Sequence, residues 1–181
     1  GLKVLLSGAG GDEIFGGYER HFPKRRINAT WLAQSTFFNF IFKHISKITS
    51  FNFFLRFSSP AYNYVSMISG INLTFLQKII IKKDYFTQLL KQIEIDFKDS
   101  YMLDVKKRMK IDLKHYLPGN ILSLTDKASM LASVECRVPL LDHKLIEFCY
   151  SLPSEFNFLN NQQKGLFKEI LKNELPKELL D

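Results

Sequence analysis

The chain has 181 residues, of which 46% are apolar and 24% are charged. That composition suits a folded domain with its own core and excludes a wholly disordered segment. The net charge of +7 would suit a nucleic-acid ligand, but the longest Lys/Arg blocks are the triplets at 24–26 and 106–108 and no nucleic-acid-binding module is recognisable. We therefore expect no nucleic-acid partner.

Cysteine usage and hydropathy bear on the compartment. Cys136 and Cys149 have no metal-type spacing, so two buried thiols in a reducing compartment are expected rather than a disulfide. No apolar run approaches the roughly 18 residues of a membrane span, and no signal peptide opens the chain. We predict a cytoplasmic protein, and the start at Gly1, directly before a strand pattern, predicts a fragment of a longer chain.

The first predicted elements are a buried strand at residues 3–7, a glycine-rich turn, and a helix that begins near Asp12 and Glu13. The turn contains Gly8, Gly10 and Gly11. Backbone N–H groups in such a turn favour an anion such as phosphate, and a divalent cation, for which Mg²⁺ is the natural choice, would make two nearby carboxylates tolerable. A tight turn whose acidic residues only complement the helix dipole explains the pattern equally well.

The segment from residue 22 to about 59 is rich in phenylalanine, and its formal charges are all basic. Core-packing helices are the favoured interpretation. The alternative is a non-catalytic module in which residues 22–57 dock on an anionic membrane or a partner protein. The role of residues 28–98 stays open. Short helices are predicted after Pro60, at 61–69, 73–80 and 84–97.

The second half of the chain reads as a series of helices. Apolar residues at 102, 105, 109, 113 and 116 follow the helical period and predict a helix over 100–116, which Pro118 and Gly119 should interrupt. An extended segment is predicted at 135–142, because the residue before Pro139 is biased away from helix. Further helices are predicted at 120–133, 142–151 and 163–174. The predicted fold is therefore α/β and predominantly helical.

Four segments follow one another in a distinctive order. They are SGAGGDEIFGGYERH at 7–21, a helix pair with ECRVPLLD within 109–148, SLP at 151–153, and QKGLFKEIL at 163–171. Together they resemble the glutamine-dependent asparagine synthetases, whose corresponding motifs are SGxGGDExFGGY, ExRVPxLD and a K-x-x-L-R helix. The last match is the loosest, because Phe167 and Lys168 replace the family's Leu and Arg.

The resemblance implies part of an adenine-nucleotide alpha-hydrolase-like (ATP pyrophosphatase) domain, which activates a carboxylate as its acyl-adenylate with ATP and Mg²⁺. It also implies a set of site residues: ATP contacts at Ser7, Gly8, Gly10 and Gly11, a Mg²⁺ ligand at Asp12, and a catalytic cation at Lys164. Such a cation would stabilise charge that develops on the α-phosphate. An ordinary exposed helix lysine is the alternative for Lys164.

Residues 1–181 would then be a partial synthetase domain that lacks the N-terminal glutaminase domain and the SGGxDS loop, and is inactive alone. The full-length chain would use aspartate, ATP and ammonia released from glutamine by its glutaminase domain, and a homodimer is a compatible assembly. Ala9 departs from the family pattern, which usually has Asp or Glu there, or Tyr in the related β-lactam synthetases. Alanine cannot accept a proton, so either another group deprotonates the ammonia or the acceptor is a different carboxylate, such as a sugar acid of surface polysaccharides.

The remaining candidates have weaker patterns. Asp126, Lys127 and Glu135 suit a scaffold role as well as ligand contact. Arg137 and Asp142, on either side of Pro139, are interpreted first as an ion pair or as turn anchors. For His21 and His115, surface or capping roles are expected.

Overall fold

The computed structural model describes residues 1–21, 60–70, 83–98 and 104–180, together with Phe75 and Ile79. The chain divides into two compact units, one formed by residues 1–23 and 102–181 and the other by residues 24–101. The phenylalanine-rich segment 22–57, which the alternative interpretation makes a docking element, lies outside the described residues.

Helix predominates in the described part of the chain, as predicted, beside a small sheet. The elements in chain order are β1 (Val4–Leu6), α1 (Gly11–Phe15), α2 (Pro60–Ile68), α3 (Lys83–Lys98), α4 (Asp104–Ile111), α5 (Ser123–Leu131), β2 (Glu135–Arg137), α6 (His143–Ser151) and α7 (Gly165–Leu171). A π-helical segment, Asp112–Leu122, joins α4 to α5. Short 3₁₀ turns occupy Glu19–His21, Pro139–Leu141, Ser154–Asn161 and Lys177–Leu179.

The sheet is a parallel pair in which Val4, Leu5 and Leu6 face Glu135, Cys136 and Arg137. Ser7 N then donates to Arg137 O at 2.8 Å and extends the ladder toward the glycine-rich turn. The prediction of a buried strand was wrong: Leu5 is 36% exposed and Leu6 is 72% exposed. Parallel sheets are normally covered on both faces, whereas β1 pairs only with β2 within the described residues, so its apolar side chains reach water.

The helix that was predicted to stop at Pro118 continues through it. α4 runs directly into the π-helical segment, which contains Pro118 and passes into α5. In an α-helix, proline lacks the required N–H and its ring clashes with the carbonyl four residues earlier. The wider π turn changes which carbonyl lies behind the ring, so the helical path continues past the proline. The predicted interruption was wrong for that reason.

The core of the first unit is assembled around α1. Ile14 and Phe15 are buried against Cys149 of α6. The surrounding apolar residues are Leu140, Leu141, Leu145, Ile146, Leu166 and Phe167. The rings of Phe15 and Phe167 stack with centroids 4.7 Å apart, which ties α7 to α1. Each buried side chain of this size stabilises the unit by about 1.5–3 kcal/mol, so the core fixes the position of the loop before α7 relative to α1.

The second unit has its own core, in which α2 packs on α3. Its buried apolar residues are Ala61, Tyr64 and Val65 on α2, and Phe86, Leu90 and Ile93 on α3. They follow the spacing of one helical face, so the predicted helices at 61–69 and 84–97 are confirmed. No helix in the described ranges is both long and apolar enough to cross a bilayer.

Candidate functional site

Two of the predicted site residues, from opposite ends of the chain, meet in the first unit. Lys164 Nζ lies 2.8 Å from Asp12 Oδ1, and the two side chains are 34% and 36% exposed. Asp12 is in the first turn of α1, and Lys164 directly precedes α7. The predicted catalytic cation and the predicted metal ligand therefore form one accessible pair.

The glycine-rich turn places α1 directly after β1. Gly10 has φ +92°, and a Cβ there would collide with the side chain of Leu141, so the turn requires glycine at this position. A Cβ at Gly11 would lie 3.1 Å from Leu140 Cδ1, whereas the space around Gly8 is open. Gly8 thus offers its backbone to a ligand, while Gly10 and Gly11 also have a packing role. Their contacts with ATP remain predictions.

Ser7 closes the turn from its other side. Its Oγ accepts a hydrogen bond from Ala9 N at 3.2 Å, while its own N–H is used by β2. Ala9, at the position where the resemblance leads one to expect an acid, is only half-buried. The turn is therefore held by backbone and hydroxyl contacts, and the contact of Ser7 with ATP remains a prediction.

The backbone at Lys164 is held in an unusual conformation. Lys164 has φ 54° and ψ 33°, in the left-handed region, and serves as the N-cap of α7. A lysine in this region costs on the order of 1 kcal/mol, because its Cβ crowds the following carbonyl. The next residue, Gly165, approaches the backbone of Leu159 so closely that a Cβ would collide with it. This contact and the stacking of Phe167 on Phe15 keep the Lys164 backbone in place.

Gly17 and Gln163 complete the surroundings of the ion pair. A Cβ at Gly17 would collide with Asp12 Oδ1 and Lys164 Cε, so only glycine permits the contact. With its amide oriented to satisfy both partners, Gln163 donates to Gly17 O and accepts from Glu19 N, each at 3.2 Å. The sequence reasoning missed both residues. The second glycine of FGGY was the available signal for Gly17, and nothing local marks Gln163.

Glu13, the second acidic residue in the first turn of α1, has different surroundings from Asp12. Its side chain is buried, and it accepts a hydrogen bond from the Tyr18 hydroxyl at 2.8 Å. Burial raises the pKa of Glu13, and the hydrogen bond from Tyr18 opposes that shift. Burial and the neighbouring Glu13 carboxylate in turn raise the pKa of Tyr18. Glu13, which is buried, and Tyr18, which is half-buried, thus form a hydrogen-bonded pair next to Asp12 in sequence.

A second carboxylate, Asp112, is completely buried in the same unit. Arg20 Nε donates to Asp112 Oδ2 at 2.7 Å, and His21 Nε2 donates to the same oxygen at 2.5 Å. Burial alone would raise the pKa of Asp112, but the hydrogen bonds from His21 and Arg20 hold it below its usual value. The Arg20 guanidinium also lies over the rings of Tyr18 and Tyr116, 3.8 and 4.7 Å from their centroids.

His21 is fully buried, so the prediction of a surface or capping role was wrong. Burial lowers its pKa, although the neighbouring Asp112 opposes the shift, and we assign the neutral imidazole with a proton on Nε2. The carboxylate of Asp112, at the start of the π-helical segment, gives the buried ring a hydrogen-bond partner, which the local sequence did not indicate. The signal available was Asp112 itself, a charge at a helical spacing from the apolar positions 109 and 116.

The remaining candidates lie outside these two clusters. Arg137 Nε pairs with Glu135 Oε1 at 2.8 Å on the exposed side of β2, rather than with Asp142. Asp142 caps α6 by accepting from Lys144 N and Leu145 N, which confirms its interpretation as a turn anchor. Asp126 and Lys127 are exposed on α5. Cys136 and Cys149 are both free thiols; Cys149 is buried as predicted, whereas the prediction of a buried Cys136 was wrong, because this residue is only half-buried on β2.

Comparison with known families decides the classification of the chain. The family model described as asparagine synthase matches residues 1–181. The chain belongs to the asparagine synthase family. The ordered motifs of the asparagine synthase family and the Lys164–Asp12 contact therefore occur in one matched domain.

Two relatives from Bacillus subtilis (strain 168) are named as asparagine synthetases. "Asparagine synthetase [glutamine-hydrolyzing] 3" is 39% identical over 61 residues, which cover 34% of this chain and 10% of that protein. "Asparagine synthetase [glutamine-hydrolyzing] 1" is 28% identical over 101 residues, which cover 56% of this chain and 14% of that protein. The chain thus spans a small part of the length of these asparagine synthetases. No solved structure gives a significant match.

The resemblance to the asparagine synthase family implies Mg²⁺, which requires side chains that can serve as metal ligands. Within the described residues, no group of three or more His, Cys, Asp or Glu side chains is arranged to hold a metal ion. Asp12 is accessible, whereas the neighbouring carboxylate of Glu13 is buried against Tyr18. Mg²⁺ commonly takes only one or two carboxylates and completes its shell with phosphate oxygens and water. The residues therefore fit a metal that binds together with a nucleotide.

Proposed function

We propose that this chain forms part of the synthetase domain of a glutamine-dependent asparagine synthetase. In this proposal, ATP activates a carboxylate as its acyl-adenylate, and ammonia from glutamine then converts the activated group into an amide. The observation that carries the proposal is the 2.8 Å contact between Lys164 and Asp12, two motif positions from opposite ends of the matched domain. If the acidic residues of the turn only complemented the helix dipole, no lysine from a distant segment would be needed beside Asp12.

Each residue has a role in the proposal that follows from its surroundings. Lys164 supplies a positive charge to the reacting α-phosphate, and its fixed backbone means that little reorganisation is needed when that charge develops. Gly8 brings open backbone, and Ser7 its hydroxyl, to the nucleotide at the end of β1. Asp12 would hold Mg²⁺, which when bound neutralises charge on the phosphates. Gly17 keeps the space between Asp12 and Lys164 clear of side-chain atoms.

Aspartate is the proposed acceptor, and the names of both relatives, which are asparagine synthetases, support it. Ala9 has no group that accepts a proton, so deprotonation of the attacking ammonia falls to another base or to the substrates themselves. The ammonia would come from a glutaminase domain of the full-length chain. The released products would be asparagine, AMP and pyrophosphate.

Isotope exchange between pyrophosphate and ATP tests the proposal in the full-length protein. We expect exchange that depends on aspartate and on Mg²⁺, because adenylate formation is reversible before ammonia attacks. Lys164→Ala should slow exchange by about 10²-fold or more, the size of effect typical of a lost electrostatic contact to a transition state. The matched control Lys172→Ala, directly after α7 at a position that is 60% exposed, should leave exchange within about twofold of the wild type.

Two results would contradict the proposal at different levels. Exchange that occurs only with another carboxylic acid would exclude aspartate as the acceptor but keep the adenylation chemistry. A full-length protein that gives no exchange with any carboxylic acid would exclude adenylation. Asp12→Asn provides a further check, since it should weaken Mg-ATP use much more than glutamine hydrolysis. Equal loss of both activities would give Asp12 a folding role instead.

A further inference from the structure

We propose that Lys164 is the resting counter-ion of Asp12, so that the site takes a divalent cation together with a nucleotide and rejects the free cation. This inference rests on the proposed function only in assigning Asp12 to metal binding. The Lys164 ammonium lies 2.8 Å from the Asp12 carboxylate, where a metal ion would compete for the same oxygen. A free divalent cation must therefore displace an internal cation that is already paired.

The surroundings of the pair make Lys164 hard to move away as a whole. Its backbone is fixed in the left-handed region, and Gly165 is packed against the backbone of Leu159. Gln163 is held on the carbonyl of Gly17 and the amide of Glu19. Only the flexible side chain of Lys164 can rearrange, so its charge can move no further than that side chain reaches from its fixed backbone.

The same geometry distinguishes a metal–nucleotide complex from a metal alone. A free cation at Asp12 leaves the Lys164 ammonium beside a second positive charge without a new partner. A metal that arrives with phosphates brings anionic oxygens, to which the displaced ammonium can transfer. Since Asp12 is the one carboxylate of the pair and Glu13 is committed to Tyr18, no further acidic side chain of α1 offsets the repulsion.

Binding of Mn²⁺ alone to the intact protein, followed by electron paramagnetic resonance, tests the inference without any measurement of activity. Lys164→Met keeps the length of the side chain and removes its charge. We expect it to raise the affinity for free Mn²⁺ at least about fivefold, the lower end of ordinary coupling between two sites. Lys164→Gly should give the same gain, and because glycine suits a positive φ it guards against a folding defect in the first variant.

Matched variants separate a local effect from a general change in charge. Lys168→Met removes one positive charge from α7 at a residue with no place in the pair, and Mn²⁺ affinity should change less than about twofold. Adding Asp12→Asn to Lys164→Met should abolish the gain. With a non-hydrolysable ATP analogue present, the wild type should bind Mn²⁺ more tightly, and the advantage of Lys164→Met should shrink or reverse.

The inference is overturned if neither Lys164 variant binds free Mn²⁺ more tightly than the wild type. It is also overturned if Lys168→Met gives an equal gain, or if the gain survives Asp12→Asn. These outcomes are distinct from failure of the proposed function, which is read from pyrophosphate exchange in the wild type. A protein without exchange that still shows the Mn²⁺ gain would keep the counter-ion role of Lys164 and lose the adenylation chemistry.

Discussion

Two contacts between a carboxylate and a basic side chain in the first unit have almost the same length and very different surroundings. Lys164 and Asp12 are 2.8 Å apart with about a third of each side chain exposed, whereas Arg20 and Asp112 are 2.7 Å apart with Asp112 fully buried. An exposed pair contributes little to stability and is easily rearranged, while a buried pair cannot lose one partner without leaving an uncompensated charge. The first pair is therefore suited to ligand binding, and the second to holding the helices together.

Asp112→Ala should have the largest effect on stability, because it leaves Arg20 without its buried carboxylate and His21 without its acceptor. We expect a loss of about 3–5 kcal/mol in the free energy of unfolding, measured by urea unfolding followed by circular dichroism. Asp12→Ala is the matched control and should cost less than about 1 kcal/mol. Similar losses for the two variants would remove the distinction between the pairs.

The buried cluster should also make stability depend on pH through His21. Because burial lowers the pKa of His21 in the folded state, the unfolded chain takes up the proton first as the pH falls. The contribution of neutral His21 to the free energy of unfolding is therefore complete above the unfolded pKa of about 6.5, and it is lost as the pH falls below that value. We expect the wild type to lose up to about 1.4 kcal/mol between pH 7.5 and 5.5 from this source, because one pH unit separates 5.5 from the unfolded pKa and one unit is worth roughly 1.4 kcal/mol.

His21→Gln tests the origin of that pH dependence. Glutamine can donate a hydrogen bond to Asp112 and does not titrate, so the free energy of unfolding of this variant should vary much less between pH 7.5 and 5.5. His143→Gln, at a position that is 75% exposed, should keep the slope of the wild type. A His21→Gln variant with an unchanged slope would assign the dependence to other groups.

Tyr18→Phe should have an intermediate effect that grows with pH. It removes the hydroxyl that donates to Glu13 but keeps the ring beneath Arg20. At neutral pH a lost hydrogen bond to a buried carboxylate should cost about 1.5–3 kcal/mol. The loss should shrink as the pH falls through the pKa of Glu13, which burial raises, because the protonated acid no longer needs the donor. Tyr116→Phe keeps the other ring over Arg20 and should cost less at every pH.

Local patterns were sufficient for the elements whose causes are local. Helix α6 begins where Asp142 can cap it, and the helical spacing of α2 and α3 predicts which faces are buried. The pairing of Lys164 with Asp12 had no local signal at all. Only the resemblance to a family put both residues in one site, and the core around Phe15 and Phe167 supplies the physical reason for their proximity.

The sequence failed where the outcome depends on distant partners. Pro118 was expected to end a helix, because the local rule for proline takes no account of a π turn. The apolar side chains of β1 were expected to be buried, and exposed Leu6 shows that burial is decided by what covers a strand. His21 was misplaced for a similar reason, since its partner Asp112 lies on a helix far along the chain.

The smallest expected effect on stability concerns the backbone of Lys164, in the exposed pair. The left-handed backbone of Lys164 would be a strained conformation that places the amine beside Asp12. Because glycine adopts φ 54° without strain, Lys164→Gly should be more stable than Lys164→Ala by up to about 1 kcal/mol in urea unfolding. The matched pair Lys168→Gly and Lys168→Ala, inside α7, should show the opposite order by about 1 kcal/mol. The same order at both positions would mean that the Lys164 backbone is unstrained. The opposite orders would show that the chain sacrifices stability at Lys164 to keep an amine beside Asp12, as functional sites often do.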